Sequence, residues 1–325
     1  MSNPYSALTP EAVLDAVAAC GLRPDGRLLS LNSYENRVYQ LWLEDSSAVV
    51  VKFYRPARWS DAQIEEEHFF ALELAEREIP VVAPLSFGGK TLSKTEQFSF
   101  AVYPRRGGRT PNLEDPKALE WIGRFIGRIH AVGAGKRFQH REALTLQSFG
   151  HEPRAWLLKN ASIPVDVLDS WKAVTEQALR GAVASFQQAG EVKQIRLHGD
   201  CHPGNILWTE DGPHFVDLDD ARMGPAIQDL WMLLSGDRAS MTLQIADVMR
   251  GYRDFMQPDR GELRLIEPLR TLRLLNYSAW IGRRWDDPAF PAAFPWFNTQ
   301  RYWQDRILEL REQIALMTEP ALEVD

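Results

Sequence analysis

The chain has 325 residues, 45% of them hydrophobic and 25% charged, and 44 acidic side chains outweigh 37 basic ones for a net charge of −7. This length exceeds what a single core usually serves and predicts two lobes, while the acidic balance argues against nucleic-acid or anionic-membrane partners. No apolar run reaches the roughly 18 residues of a membrane span, and two cysteines, Cys20 and Cys201, are too few for a disulfide framework or a four-cysteine zinc site.

The first five residues, Met-Ser-Asn-Pro-Tyr, lack a basic stretch followed by an apolar core, so the reading is a cytoplasmic chain without a secretory signal. Thr9-Pro10-Glu11 opens a first helix with an oxygen-bearing cap, a proline and an acid, and Gly21 closes it. Residues 31–38 form a polar turn without glycine, in which Ser33 and Asn36 tolerate turn geometry and carry donors for an anion; an ordinary β-turn accounts for them equally well. Residues 38–43 and 48–54, rich in β-branched and aromatic side chains, predict a hairpin. Lys52 lies in its second strand after three valines and, taken alone, reads as a solvated edge charge. A helix over 60–78 follows, with Asp61, Glu65, Glu66 and Glu67 near its start, and most of that run suits an exposed face.

Residues 98–103 predict another strand, ended by Pro104-Arg105-Arg106-Gly107-Gly108. Composition then shifts from strands to helices, which sets a boundary near 104 between a β-rich lobe over 1–104 and a helical lobe over 105–325. Apolar residues recur at helical period over 118–132, and a second long helix spans 165–188. His130 reads as a packed or capping side chain. In the tail, Trp280, Trp285, Trp296 and Trp303 share a segment with arginines such as Arg283 and Arg284, a pattern that fits helix packing with cation–π contacts better than single-strand binding.

The stretch Leu197-His198-Gly199-Asp200-Cys201-His202-Pro203-Gly204-Asn205 carries the chemistry, together with Phe215-Val216-Asp217-Leu218-Asp219-Asp220 after it. Phosphoryl transfer from a nucleoside triphosphate needs a group to orient the attacking hydroxyl and oxygen ligands for magnesium on the phosphates. A carboxylate at 200, an amide at 205 and a second carboxylate at 217 supply that set.

This spacing resembles the protein-kinase catalytic loop, and its His-Gly-Asp form resembles the aminoglycoside phosphotransferase and choline kinase branch of that fold. The resemblance implies that Lys52 contacts the ATP phosphates and that a carboxylate of the next helix holds it. Glu67, seven residues before Leu74, fits the register such helices use, with Glu66 as the alternative. It further implies that Val102 and Tyr103 offer backbone hydrogen bonds to adenine and that Asp229 braces the catalytic loop. For His202, a γ-phosphate donor role and a structural role remain open. With Asn32-Ser33-Tyr34-Glu35-Asn36-Arg37, Val50-Val51-Lys52-Phe53-Tyr54-Arg55-Pro56 and Asp287-Pro288-Ala289-Phe290-Pro291 included, the whole chain resembles the bacterial stress response kinase A family. That resemblance implies an α+β, bilobal, monomeric protein kinase of the stress response, acting on Ser or Thr hydroxyls of protein substrates, itself included, with ATP and Mg2+. Asp200 would be the proton acceptor, Asn205 and Asp217 the magnesium ligands, Asp217 also catalytic, and Ser33 an ATP-site residue. A small-molecule kinase for an amino alcohol or an aminoglycoside-like compound is the alternative, because the same loop serves both. Cys201, next to the proton acceptor, reads as a small packed residue, with a peroxide-sensitive thiol as the further expectation that the stress-linked resemblance raises.

Overall fold

A computed structural model describes residues 4–324, so residues 1–3 of the N-terminal stretch read as lacking a secretory signal lie outside the described residues. The chain forms two compact units. One holds the described residues up to Pro111 together with Phe138–Arg141 and His202–Ala221; the other holds Asn112–Arg137, Glu142–Cys201 and the chain from Arg222 onward. The first unit thus takes in stretches far beyond residue 104, and the chain passes from one unit to the other directly after Cys201.

The first unit begins with α1 (Pro10–Ala19), whose Thr9 hydroxyl accepts from the Ala12 N–H. A five-stranded antiparallel sheet follows, formed by β1 (Pro24–Ser30), β2 (Arg37–Leu43), β3 (Ala48–Phe53), β4 (Ser93–Lys94) and β5 (Ser99–Pro104), in the order β1-β2-β3-β5-β4. The expected hairpin is β2–β3, with Val38 opposite Lys52. The edge strand β1 has no apolar alternation and a register shift between Pro24 and Leu28, so its sequence gives little strand signal. Helix α2 (Asp61–Glu76) starts in a reciprocal cap between Ser60 and Gln63. Val13, Val17, Leu41, Val51, Phe53 and Phe100 close the core between α1 and the sheet. The hairpin of Ile206–Thr209 and Gly212–Phe215 completes the unit, with the Phe215 N–H on the Pro80 carbonyl and the Phe215 carbonyl on the Val82 N–H.

The second unit is helical: α3 (Pro116–Gly133), α4 (Glu152–Asn160), α5 (Val165–Ala189), α6 (Ile227–Trp231), α7 (Arg238–Tyr252), α8 (Ile266–Arg283), α9 (Ala289–Ala293) and α10 (Gln300–Leu316). Its short strands Ile195–Leu197 and Arg222–Gly224 pair antiparallel. Helices α3 and α7 meet backbone to backbone. A Cβ on Gly123 would lie 1.9 Å from the Val248 carbonyl oxygen, and one on Gly251 2.0 Å from that of Glu120. Among the described residues, no helix is long and apolar enough to cross a membrane.

Candidate active site

In the first unit Lys52 is buried and aims its ammonium from β3 at Asp217, with Nζ 2.7 Å from Oδ1, and stands 4.0 Å from Asp219 Oδ1. The rings of Tyr103 and Tyr54 lie 5.5 and 5.7 Å from Nζ. Burial alone would lower the lysine pKa, but Asp217, Tyr103 and Asp219 raise it well above its ordinary value, so the ammonium stays charged. Lys52 is therefore a buried cation and not an edge charge.

Asp219 is the hub of this cluster. Arg58 donates to its Oδ2, Asn36 Nδ2 donates to the same oxygen at 3.2 Å, and Arg141 Nη1 donates to its backbone carbonyl at 2.7 Å. Burial pushes the Asp219 carboxyl up, yet Arg58, Lys52 and Arg141 together hold it well below the usual carboxylate range. Its Oδ1 has no hydrogen-bond partner.

Glu67 and Glu66 separate clearly. Glu67 is buried on α2, and its Oε2 has no hydrogen-bond partner; the His68 imidazole lies 3.7 Å away. Burial raises its pKa to about 7 against the pull of Lys52 and Arg141. His68 is itself lowered to about 3, first by burial and then by Lys52 and Arg141. It is neutral near pH 7, bonded to Tyr54 Oη at 2.7 Å and Thr91 Oγ1 at 2.8 Å. Glu66 instead turns outward and accepts from the backbone N–H groups of Gln139, His140 and Arg141. It ties down the chain there and does not face Lys52.

Asp217 is reached through a left-handed backbone (φ 61°, ψ 63°), a conformation that a non-glycine residue holds only when its surroundings enforce it. The Val216 N–H donates to the Asn205 carbonyl at 3.0 Å, which sets the turn carrying the amide beside the strand end carrying the carboxylate. The Asp217 side chain is 51% exposed. Among the described residues, no group of three or more His, Cys, Asp or Glu is assembled for a metal. One exposed carboxylate and one amide oxygen suit a hard, mostly hydrated cation that completes its shell from phosphate oxygens and water, so the donor set fits magnesium. His202 uses Nδ1 to accept from the Gly204 N–H at 3.0 Å, capping the turn Pro203–Asn205. That contact gives it a structural role at the turn.

Ser33 is partly exposed in the turn between β1 and β2. Asn36 in the same turn is buried and committed at both ends of its amide: Nδ2 donates to Asp219, and Oδ1 accepts from the Arg55 N–H at 3.0 Å. Its side chain therefore anchors the turn and is not turned outward toward a phosphate, which corrects the sequence expectation. Glu35 adds a second anchor, 3.7 Å from Arg55 Nε and 3.9 Å from Arg58 Nε. Val102 and Tyr103 lie inside β5 opposite Val51 and Val50, and the Val102 carbonyl accepts from the Leu85 N–H at 2.7 Å. That carbonyl is committed to the protein, and the Tyr103 side chain joins Tyr54 behind Lys52.

In the second unit Asp200 follows Gly199, whose φ of 85° only glycine adopts without strain. Asp229 accepts from the N–H groups of His198 and Gly199, both at 2.8 Å, and from His130 Nε2 at 3.0 Å. His130 Nδ1 meets Tyr252 Oη at 2.9 Å, so both of its nitrogens serve the brace. The Asp200 Oδ1 accepts from Arg273 Nη1 of α8 at 2.7 Å. Cys201 is fully buried, and burial followed by Asp229 and Asp200 pushes its thiol well above the ordinary value. An enclosed neutral thiol is a poor target for peroxide, and this burial favours Cys201 as a packed core residue over a redox-sensitive thiol. The aromatic tail packs on itself, with Trp171 against Trp303 at 5.0 Å and Trp280 against Phe290 at 5.0 Å.

Arg58, Arg141 and Arg273 were not anticipated from the sequence. Arg58 precedes a helix cap and Arg273 sits within an ordinary amphipathic helix, so only their distant partners mark them.

The chain is similar to known proteins in sequence and in fold. Residues 27–266 match the model of the phosphotransferase enzyme family. Stress response kinase A of Escherichia coli K12 is 45% identical over 320 residues, covering 98% of this chain and 97% of that protein. Serine/threonine protein kinase RdoA of Salmonella typhimurium matches at the same identity and coverage. Among solved structures, an amicoumacin kinase in complex with AMP-PNP, Ca2+ and Ami superposes with a TM-score of 0.76 at 19% identity, covering 100% of this chain and 98% of that one. A microcompartment-associated aminopropanol kinase follows at 0.69 and 16%, covering 94% and 96%. The last two share the fold, a β-sheet unit and a helical unit in one α+β chain. The chain belongs to the phosphotransferase enzyme family and, within it, to the stress response kinase A family.

Proposed function

We propose that the protein is an ATP-dependent serine/threonine protein kinase of the stress response, with Asp200 as proton acceptor for the attacking hydroxyl. The observation that carries this reading is 45% identity, along nearly the whole chain, to relatives named as stress response and serine/threonine protein kinases. In this reading the acceptor hydroxyl donates to Asp200, which orients it toward the γ-phosphate and takes its proton as the new P–O bond forms, the bond from the γ-phosphorus to the bridging oxygen breaks and ADP leaves. Lys52 sets a fixed positive charge for the α- and β-phosphates, and Glu67 offers that lysine a second carboxylate when phosphates draw it from Asp217. Asn205 and Asp217 would hold magnesium, which neutralises phosphate charge when bound. Gly199 and Asp229 keep the loop at Asp200 in place. Ser33 and the turn around it would cover the phosphates.

The test incubates the purified protein with labelled ATP and magnesium, offering a general protein acceptor, the protein itself and a panel of amino alcohols and aminoglycosides. Label on protein Ser or Thr, lost in Asp200→Ala, is expected. Label on the small alcohols alone would make the chain a small-molecule kinase.

A further inference from the structure

Helix α8 presents Arg273, Tyr277 and Trp280 on one face at intervals of four and three residues, and Arg284, its C-cap, follows four residues after Trp280. All four are partly exposed. Tyr277 and Trp280 stack at 5.6 Å with 20° between their planes, and Arg284 lies 5.5 Å over the Trp280 ring with Nη1 on the Trp280 carbonyl. Arg273 heads the row. Its Nη1 donates to Asp200 at 2.7 Å and lies 4.0 Å from Met232 Sδ. Among the described residues its Nε and Nη2 have no hydrogen-bond partner, and its side chain is 42% exposed.

A guanidinium tied by one nitrogen and open at two others is half of a bidentate anion site. If Asp200 accepts the proton of the acceptor hydroxyl, as proposed above, any acceptor must bring that hydroxyl alongside those open donors. At those two nitrogens an anionic group finds N–H donors, whereas a cationic group finds no acceptor. We propose that Arg273 determines acceptor specificity by binding a carboxylate next to the accepting hydroxyl. The acceptor is then a peptide segment whose Ser or Thr is flanked by Asp or Glu, lying along the aromatic edge of Tyr277 and Trp280. This inference rests on the protein-kinase reading and narrows its substrate class.

The experiment measures kcat/KM for matched peptides with one serine flanked by Glu, phosphoserine, Ala or Lys, and for an amino alcohol. Wild type, Arg273→Lys, Arg273→Ala and Arg273→Glu are compared, with thermal unfolding of each variant recorded alongside. The Glu-flanked peptide should exceed the Ala-flanked one by roughly tenfold or more in wild type, the value of one charge-assisted hydrogen bond. Arg273→Ala should bring that ratio near one, Arg273→Glu should favour the Lys-flanked peptide, and the well-folded Arg273→Lys should keep part of the preference. A uniform loss on all acceptors with the ratio unchanged would overturn the inference, because Arg273 would then only position Asp200. Gain by the phosphoserine peptide alone overturns the carboxylate assignment. Equal use of all peptides overturns the inference and leaves the protein-kinase reading intact, whereas transfer to the amino alcohol alone overturns both.

Discussion

Asp219 in the first unit and Asp229 in the second are both enclosed carboxylates, yet their partners differ in kind. Asp229 faces two backbone N–H groups and one imidazole, each at 2.8 to 3.0 Å, and these fix a loop in one geometry. Asp219 faces mainly side-chain cations, Arg58 and Lys52, and keeps one oxygen without a hydrogen bond. Lys52 is divided between Asp217 and Asp219, while Glu67 waits nearby with its own oxygen unmatched. A hydrogen-bonded frame that is complete resists change; an ion cluster with unmatched members can exchange partners when a polyanion arrives. In the proposed function the ion cluster at Asp219 would meet a nucleotide's phosphates, and the hydrogen-bonded frame at Asp229 would hold the loop carrying Asp200.

Several substitutions separate the two arrangements. Lys52→Met and Asp217→Ala should each reduce phosphoryl transfer by roughly 10²-fold or more, and Asp217→Ala should also weaken binding of magnesium nucleotide. Steady-state kinetics with nucleotide-binding calorimetry checks this pair, and small, equal effects of both would break the assignment. Asp229→Ala should behave differently, because it strands three buried donors. Stability should fall by roughly 3–5 kcal/mol in chemical denaturation, with activity falling alongside. If activity falls while stability holds, Asp229 is more than a brace.

Glu67 links the cluster to pH. With a folded pKa of about 7 against an ordinary 4.5, it destabilises the fold once ionised. Below about 4.5 both folded and unfolded chains carry the proton and the penalty vanishes. As pH rises from there to about 7 the unfolded chain ionises first, and stability is lost progressively, by on the order of 3 kcal/mol at most. Glu67→Gln should therefore gain on the wild type between pH 5 and 8 in unfolding free energy, while turnover falls mildly. A difference independent of pH would show that Glu67 is already paired when ionised.

Smaller effects are expected at the neighbours. Glu66→Gln should lower stability by about 1 kcal/mol through weaker bonds to the backbone of residues 139–141, and should spare turnover. If Glu66→Gln cripples transfer and Glu67→Gln does not, the roles of the two carboxylates are reversed. Cys201→Ser and the parent protein should keep equal activity after mild peroxide. Loss in the parent alone would restore the redox role.

Much of this arrangement was legible in the residues. Asp200, Asn205 and Asp217 announce themselves because their spacing is a property of one short stretch, whereas Lys52 by its strand alone reads as an edge charge and stands out only through the family resemblance. Helices α1 and α3 were readable, one from its cap at Thr9 and the other from its period. The edge strand β1 was not, since an exposed strand with Asp, Gly and Arg has no alternation to detect. Nor could the sequence reveal that Asn36 turns inward, since Asp219, its partner, lies 183 residues away. Arg58, Arg141 and Arg273 escaped for the same reason: an arginine's partner is set by tertiary packing, and the sequence offers many exposed arginines.

The central claim is that Asp200 serves the acceptor hydroxyl while the Lys52 cluster serves the nucleotide. Asp200→Asn, nearly the same in shape, tests it most directly, with turnover and nucleotide affinity measured on one preparation. The account predicts a loss of turnover of roughly 10²–10⁴-fold with nucleotide affinity close to that of the parent. Turnover retained within a few-fold, or a loss that follows nucleotide affinity, would contradict it.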